Sequence, residues 1–95
     1  MPGGVVKASH ADGWQPALAP VIVRRHDQVR GTDLLVLPER VVVLTGRAAV
    51  VVELCDGTRT VRAIVEELTG RFPGAPVATD VPPFLDRLRQ EGWLQ

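Results

Sequence analysis

The sequence is poor in the side chains that most often build reactive or covalent sites. Its 95 residues include one cysteine, two histidines and no tyrosine. A single cysteine excludes an internal disulfide and a cysteine-based metal cluster. Because free cysteines are usually buried as small apolar side chains, we expect Cys55 to lie in the core of the fold, and a reactive thiol is the less favoured alternative.

The sequence also lacks a charge excess and a long apolar run. Eleven basic residues balance eleven acidic ones, whereas a general nucleic-acid binder usually carries a basic excess. No apolar segment approaches the roughly 20 residues of a membrane span, and residues 1–20 contain no continuous apolar stretch of the signal-peptide type. Neither nucleic acid nor membrane is therefore an expected partner, and a cytoplasmic location is the default expectation.

What the chain does contain is enough apolar material for one small domain. Hydrophobic residues make up 45% of it, which places it among folded chains with a modest core. Residues 1–17 are rich in glycine, alanine and proline and predict a flexible arm ahead of a folded domain at residues 18–95. Trp14 is expected to fold back onto that domain, and an exposed anchor for a partner is the alternative.

Three short apolar segments predict an antiparallel meander. The expected strands cover residues 21–26, 33–37 and 40–44. Gly31 lies in the first connection, and Pro38 with Glu39 forms the second, which is short enough for a hairpin.

The remainder predicts three helices. Residues 48–55 form the first, with Thr45 as its N-cap, although the adjacent valines would also suit a buried strand. The pair Asp56-Gly57 predicts a tight turn, because glycine accepts a positive φ. The second helix covers residues 61–69, begins at a Thr60 cap and ends at Gly70.

The third helix is expected at residues 80–91. Asp80 starts it, Pro82 and Pro83 occupy its first turn, where missing amides cost little, and Gly92 ends it. The predicted fold class is therefore α+β, a winged helix-turn-helix-like domain in which a three-stranded antiparallel sheet precedes three helices.

The third strand is apolar on both faces, whereas apolar and polar residues should alternate in a strand with one solvent-exposed face. Either the last helix covers the second face, or that face is a docking surface for a partner. If the strand lies at an edge, its free backbone groups can also pair with an extended peptide or with a second copy of the chain. A monomer or a weak homodimer is the expected state.

No arrangement of side chains predicts catalysis. His10 and His26 have no spacing to acidic residues or Cys55 that suggests a triad or a metal site. DNA binding through the third helix is an alternative hypothesis. That helix is weakly acidic, however, because Asp80, Asp86 and Glu91 outnumber Arg87 and Arg89. The strand region instead carries an arginine excess, which is either a solvated face or a complement to an acidic peptide.

Three runs of sequence carry a family resemblance: LPERVVVL at residues 37–44, ELCDGTRTVRAIVEEL at residues 53–68 and DVPPFLDRLRQEGWL at residues 80–94. Together they resemble the PqqD family of peptide chaperones in pyrroloquinoline quinone biosynthesis. The paired prolines at residues 82 and 83 are a departure from the family pattern.

The resemblance implies a function. PqqD-like domains bind the leader of the precursor peptide PqqA as an added strand between the third strand and the third helix. They present it to the radical SAM enzyme PqqE, and they are neither catalysts nor cofactor proteins. A recognition domain for another ribosomally made, modified peptide is the alternative, and a small winged-helix DNA-binding regulator is a more distant one.

Carried onto this chain, the resemblance implies that leader backbone pairs with residues 40–44. Leader side chains would pack against Val41, Val43, Phe84, Leu85 and Leu88, and Arg87 would meet an acidic leader residue. The expected peptide-binding residues are Arg40, Val41, Val42, Val43, Leu44, Phe84, Leu85, Arg87 and Leu88.

Overall fold

A computed structural model describes residues 13–95. Residues 1–12 of the predicted arm, including His10, lie outside the described residues. Three strands precede three helices: β1 (Val23–Asp27), β2 (Thr32–Val36), β3 (Val41–Leu44), α1 (Ala48–Glu53), α2 (Val61–Arg71) and α3 (Val77–Gln90). The strands form one antiparallel sheet in the order β1-β2-β3. The predicted fold class is confirmed.

The strand connections follow the predicted turns, and the strand bounds shift by one or two residues. Pro38 and Glu39 form a two-residue loop, which is closed by the amide of Leu37 donating to the carbonyl of Arg40 at 2.8 Å. β1 begins at Val23 rather than at residue 21. The preceding Ile22 turns into the core, and its amide donates to Ala19.

The first predicted helix is present, but it begins without the predicted cap. Arg47 occupies the N-cap position, and no side chain caps the helix. The expectation that Thr45 caps it was wrong, because Thr45 uses its backbone carbonyl to accept from the amide of Ala48. Val51 and Val52 are buried, so core packing compensates for the poor helix propensity of adjacent valines.

The second helix begins as predicted and ends later. The Thr60 side chain accepts a hydrogen bond from the amide of Ala63 at 3.1 Å, which confirms the cap. The expectation that Gly70 ends the helix was wrong, since the helix continues to Arg71. Phe72 packs against the core, and its amide donates a hydrogen bond to the carbonyl of Leu68. The stabilisation from these contacts therefore exceeds the cost in helix propensity of Gly70.

The last helix begins one turn earlier than predicted. It starts at Val77, which places Pro82 and Pro83 inside the helix rather than in its first turn. Burial of Val77 explains the earlier start, because this side chain extends the apolar face of the helix. Gly92 does end the helix: its φ is +86°, and the amide of Trp93 donates to Leu88, as in a Schellman motif.

The core lies between the sheet and the helices. Its most buried side chains come from all these elements and include Leu35, Val52, Ile64, Leu68 and Leu85. Cys55 is also buried, as expected. The Asp56-Gly57 turn is confirmed, with a φ of +85° at Gly57 and an Asp56 carboxylate that accepts from the amide and hydroxyl of Thr58.

A segment ahead of the sheet packs across the domain. Ala17 bridges to Asp56 and exchanges two backbone hydrogen bonds with Gln95. The amide of Gly57 donates to Pro16, and an added Cβ at Gly57 would lie 3.5 Å from that of Ala17. The described residues ahead of β1 therefore fasten the turn to the tail that follows α3.

Candidate functional site

The two edges of the sheet differ in character. β1 lies at one edge, and two of its four exposed residues are arginines, which discourages pairing with another strand. β3 lies at the opposite edge and contains three valines and a leucine. Within residues 13–95, β3 pairs with β2 alone, so its other side is open and carries no charged side chain.

The backbone of β3 offers hydrogen bonds to this open side. The bond between Leu37 and Arg40 marks that pair as hydrogen-bonded, and such pairs alternate along an antiparallel ladder. With Leu35 opposite Val42, Val42 and Leu44 bond β2. The amides and carbonyls of Val41 and Val43 therefore point to the open edge.

The side chains of β3 divide between the two faces of the sheet. Leu44 is in the core, and Val42 packs against it. Val41 and Val43 point to the opposite face and are 56% and 52% exposed. The helix side of the sheet thus receives Val42 and Leu44, whereas Val41 and Val43 lie on the outer face, away from the helices.

The predicted helical residues also separate by burial. Leu85 and Leu88 are core residues, with 0% and 5% of their surface exposed. Phe84 is half-buried against the core, and Arg87 is exposed. The accessible surface of α3 among these predicted residues is therefore Phe84 and Arg87, and the two leucines hold the helix in place from beneath.

A cavity of about 180 Å³ opens between the start of α1, the end of α2 and the first half of α3. Phe84 contributes to its wall, and Arg47 and Asp80 supply its charged groups. The other lining residues are mostly apolar: Ala48, Val51, Leu68, Phe72, Ala75, Pro76, Val77 and Val81. The volume of the cavity suits one apolar side chain.

Sequence reasoning missed this cavity. The third helix was expected to begin at residue 80, so Val77 was not assigned to a helix face. The available signal was the spacing of Val77, Val81 and Phe84, which places them on one side of a helix.

An arginine stacks on an aromatic ring at each end of β3. The guanidinium of Arg40, just before the strand, lies 5.7 Å from the ring centre of Trp93. That of Arg47, three residues after the strand, lies 5.0 Å from the ring centre of Phe72. Both arginines are exposed, so the apolar edge is bounded by two cations held by cation–π contacts.

The ionisable groups near the turn do not build a reactive centre. Burial, with a smaller contribution from the Asp56 carboxylate, raises the pKa of Cys55 to about 12, which suppresses its thiolate. Hydrogen bonds from Thr58 hold the pKa of Asp56 below its ordinary value. Among the described residues, no group of three or more His, Cys, Asp or Glu side chains is placed to hold a metal ion.

Residues 34–94 match the sequence model of the family described as Coenzyme PQQ synthesis protein D (PqqD). The chain belongs to the PqqD family. The segment shared with PqqD runs from β2 to Leu94, so it contains the open edge, the cavity and the whole of α3. The resemblance predicted from the three sequence runs is confirmed.

Curated relatives match this chain over most of their length. The PqqA binding protein of Pseudomonas entomophila is 35% identical over 80 residues, which cover 83% of this chain and 88% of that protein. The PqqA binding protein of Rhodopseudomonas palustris is 34% identical over 86 residues, which cover 88% and 84% of the two chains.

A solved PqqD structure has the same fold. It is the PqqD truncation of Methylobacterium extorquens PqqCD, described as a functional, stand-alone recognition element for ribosomally synthesized and post-translationally modified peptides. It is 33% identical to this chain, superposes with a TM-score of 0.67 and shares 84% of this chain and 87% of its own. None of the helices in the described part of the chain is long and apolar enough to span a membrane.

Proposed function

We propose that this chain binds a PqqA precursor peptide and adds part of the peptide's leader to its sheet as a fourth strand on β3. The observation that carries the proposal is the open, uncharged edge of β3. Phe84 of α3, which is only partly buried against the core, offers an apolar contact on a helix. Added strands of this kind obtain affinity from main-chain hydrogen bonds and specificity from alternate side chains. The names of the relatives, PqqA binding proteins, support the choice of peptide.

Each part of the site has a role in this proposal. The edge-facing amides and carbonyls of Val41 and Val43 pair with leader backbone. Val42 and Phe84 contact the leader side chains that point toward the helices. Arg40, Arg47 and Arg87 are exposed and attract acidic leader residues, chiefly by steering the encounter. Leu44, Leu85 and Leu88 support this surface from the core.

The proposal gives the chain a binding role and no chemical step. The bound peptide is handed to a radical SAM enzyme, PqqE, which performs the chemistry. Burial of Cys55, the one nucleophilic thiol, fits a protein that holds a peptide without reacting with it.

The test is a titration with the PqqA peptide from the same genome, in which single leader residues are N-methylated in turn. N-methylation removes one backbone donor and leaves the side chain intact. Strand addition predicts that binding weakens about five- to ten-fold at every second position of a short leader segment, since each lost hydrogen bond costs about 1 kcal/mol. Amide chemical shifts should change in β3 and along α3.

A scrambled leader of the same composition is the matched control for charge alone. Equal sensitivity at all N-methylated positions, or none, would rule out strand addition even if the peptide binds. If PqqA fails to bind and the leader of a different modified peptide binds at the same edge, the chain serves that other pathway. Salt-sensitive binding of duplex DNA in place of peptide would overturn the proposal.

A further inference from the structure

The outer face of the sheet, on the side away from the helices, is apolar along β3. Two rows cross it: Val23, Val36 and Val41 form one, and Arg25, Leu34 and Val43 form the other. In the middle strand, Leu34 and Val36 are half-buried by neighbours on both sides. On β3, Val41 and Val43 remain 56% and 52% exposed. These two residues are called here the outer valine pair.

The outer valine pair is exposed because its rows stop at the open edge. Side chains directly opposite each other on adjacent strands lie about 4.5–5.5 Å apart at Cβ and stabilise the sheet as pairs. A strand added to β3 would extend both rows by one residue each. Because side chains alternate between faces, this holds whether the added strand runs parallel or antiparallel to β3.

The chemistry of these rows selects the side chains that would complete them. The outer valine pair borders Leu34 and Val36, and β3 itself carries no charge. Arg25 shares a row with Val43 but lies two strands away, about 10 Å by the usual strand spacing. Arg40 precedes the strand and lies over Trp93, near the end of α3. Apolar side chains therefore fit beside the outer valine pair better than acidic ones.

We propose that the bound peptide is read on both faces of the sheet: the residues that lie beside Val41 and Val43 are apolar, preferably β-branched or aromatic, and pack on the outer face. This inference rests on the proposed strand addition. It makes the outer valine pair specificity-determining, in addition to Val42 and Phe84, which are proposed to contact the other side of the peptide. The preferred peptide segment is then a continuous apolar run, whereas reading on one face alone would require only alternate apolar residues.

The experiment is an aspartate scan of the PqqA leader against the intact protein, followed by calorimetry. Reading on both faces predicts a continuous block of sensitive positions, with binding weakened about three- to five-fold or more at each outward residue. Reading on the helix side alone predicts sensitivity at every second position. The latter pattern, with normal binding of the unmodified leader, would overturn this inference and leave strand addition intact.

A charge exchange identifies the residue in contact. The test peptide is a leader that carries aspartate at the position beside residue 43. The Val43→Arg variant should bind this peptide at least about three-fold more tightly than the original protein does. Val23→Arg is the matched control, because Val23 is on the same face, is exposed and lies at the opposite edge. Equal effects of the two substitutions, in proteins with unchanged far-ultraviolet circular dichroism, would refute the pairing. Absence of binding by the unmodified leader would instead refute the proposed function itself.

Discussion

The indole nitrogen of Trp14 donates a hydrogen bond to the backbone carbonyl of Gln95 at 3.1 Å, although 81 positions separate the two residues. The guanidinium of Arg89, on α3, lies 4.5 Å from the centre of the Trp14 ring. The ring also packs against the core. Trp14 thus connects the segment ahead of the sheet with both the last helix and the tail.

Trp14→Ala is expected to lower the free energy of unfolding by about 2 kcal/mol, because it removes a half-buried aromatic ring together with its hydrogen bond. Trp14→Phe keeps most of the apolar contact and should cost about 1 kcal/mol. Urea unfolding followed by circular dichroism measures both. Equal stability of Trp14→Ala and the unchanged protein would show that this segment does not contribute to the folded state.

Thr60→Ala should destabilise the protein by about 1 kcal/mol, since Thr60 caps α2 by accepting a hydrogen bond from the amide of Ala63. Thr69→Ala, in the last turns of the same helix, is the control. Thr69 is exposed and its hydroxyl donates to Val65, and alanine is the better helix former there, so a gain of a few tenths of a kcal/mol is expected. Chemical denaturation distinguishes the two. Similar effects of both changes would contradict the capping role.

The buried thiol of Cys55 predicts a loss of stability in alkaline solution. Its pKa is raised from 9.0 to about 12 by burial, with a smaller effect of Asp56. The unfolded chain therefore releases this proton at a lower pH than the folded protein does. The free energy of unfolding should accordingly be unaffected by this group below about pH 9 and fall as the pH rises toward about 12.

Denaturant titrations at several alkaline pH values measure this slope. Cys55→Ala leaves all other titrating groups in place, so the difference between the two pH profiles isolates the thiol. Parallel profiles would show that Cys55 ionises equally readily in both states.

Local chemistry predicted the parts of the fold that depend on a few neighbouring residues. The Thr60 cap, the Asp56-Gly57 turn and the stop at Gly92 each follow from one side chain or one positive φ. The expectations based on Gly70 and Pro82 were wrong because the intrinsic preferences of these residues are overridden by packing of Phe72 just after α2 and by burial of Val77 at the start of α3. Such tertiary packing has no signature in a window of a few residues.

The candidate site, too, could be predicted from the sequence only in part. That the edge strand is apolar could be read directly from the valines at positions 41, 42 and 43. Which of them face the helices could not, because a shift of one residue in register exchanges the two faces. The pairing of the buried Leu35 with Val42 shows which of the valines face the helices. The burial of Leu85 and Leu88 likewise depends on how α3 is rotated against α2, which the amphipathic pattern specifies only approximately.

The open edge of β3 also has a consequence for the free protein. Val41 and Val43 offer the same backbone groups to any extended chain, including another copy of this one, and no charged side chain on the strand discourages it. Under the proposed strand addition, self-association and peptide capture compete for this edge. A leader bound there is expected to block pairing between copies of the chain, so solubility at high concentration should rise when the leader is present.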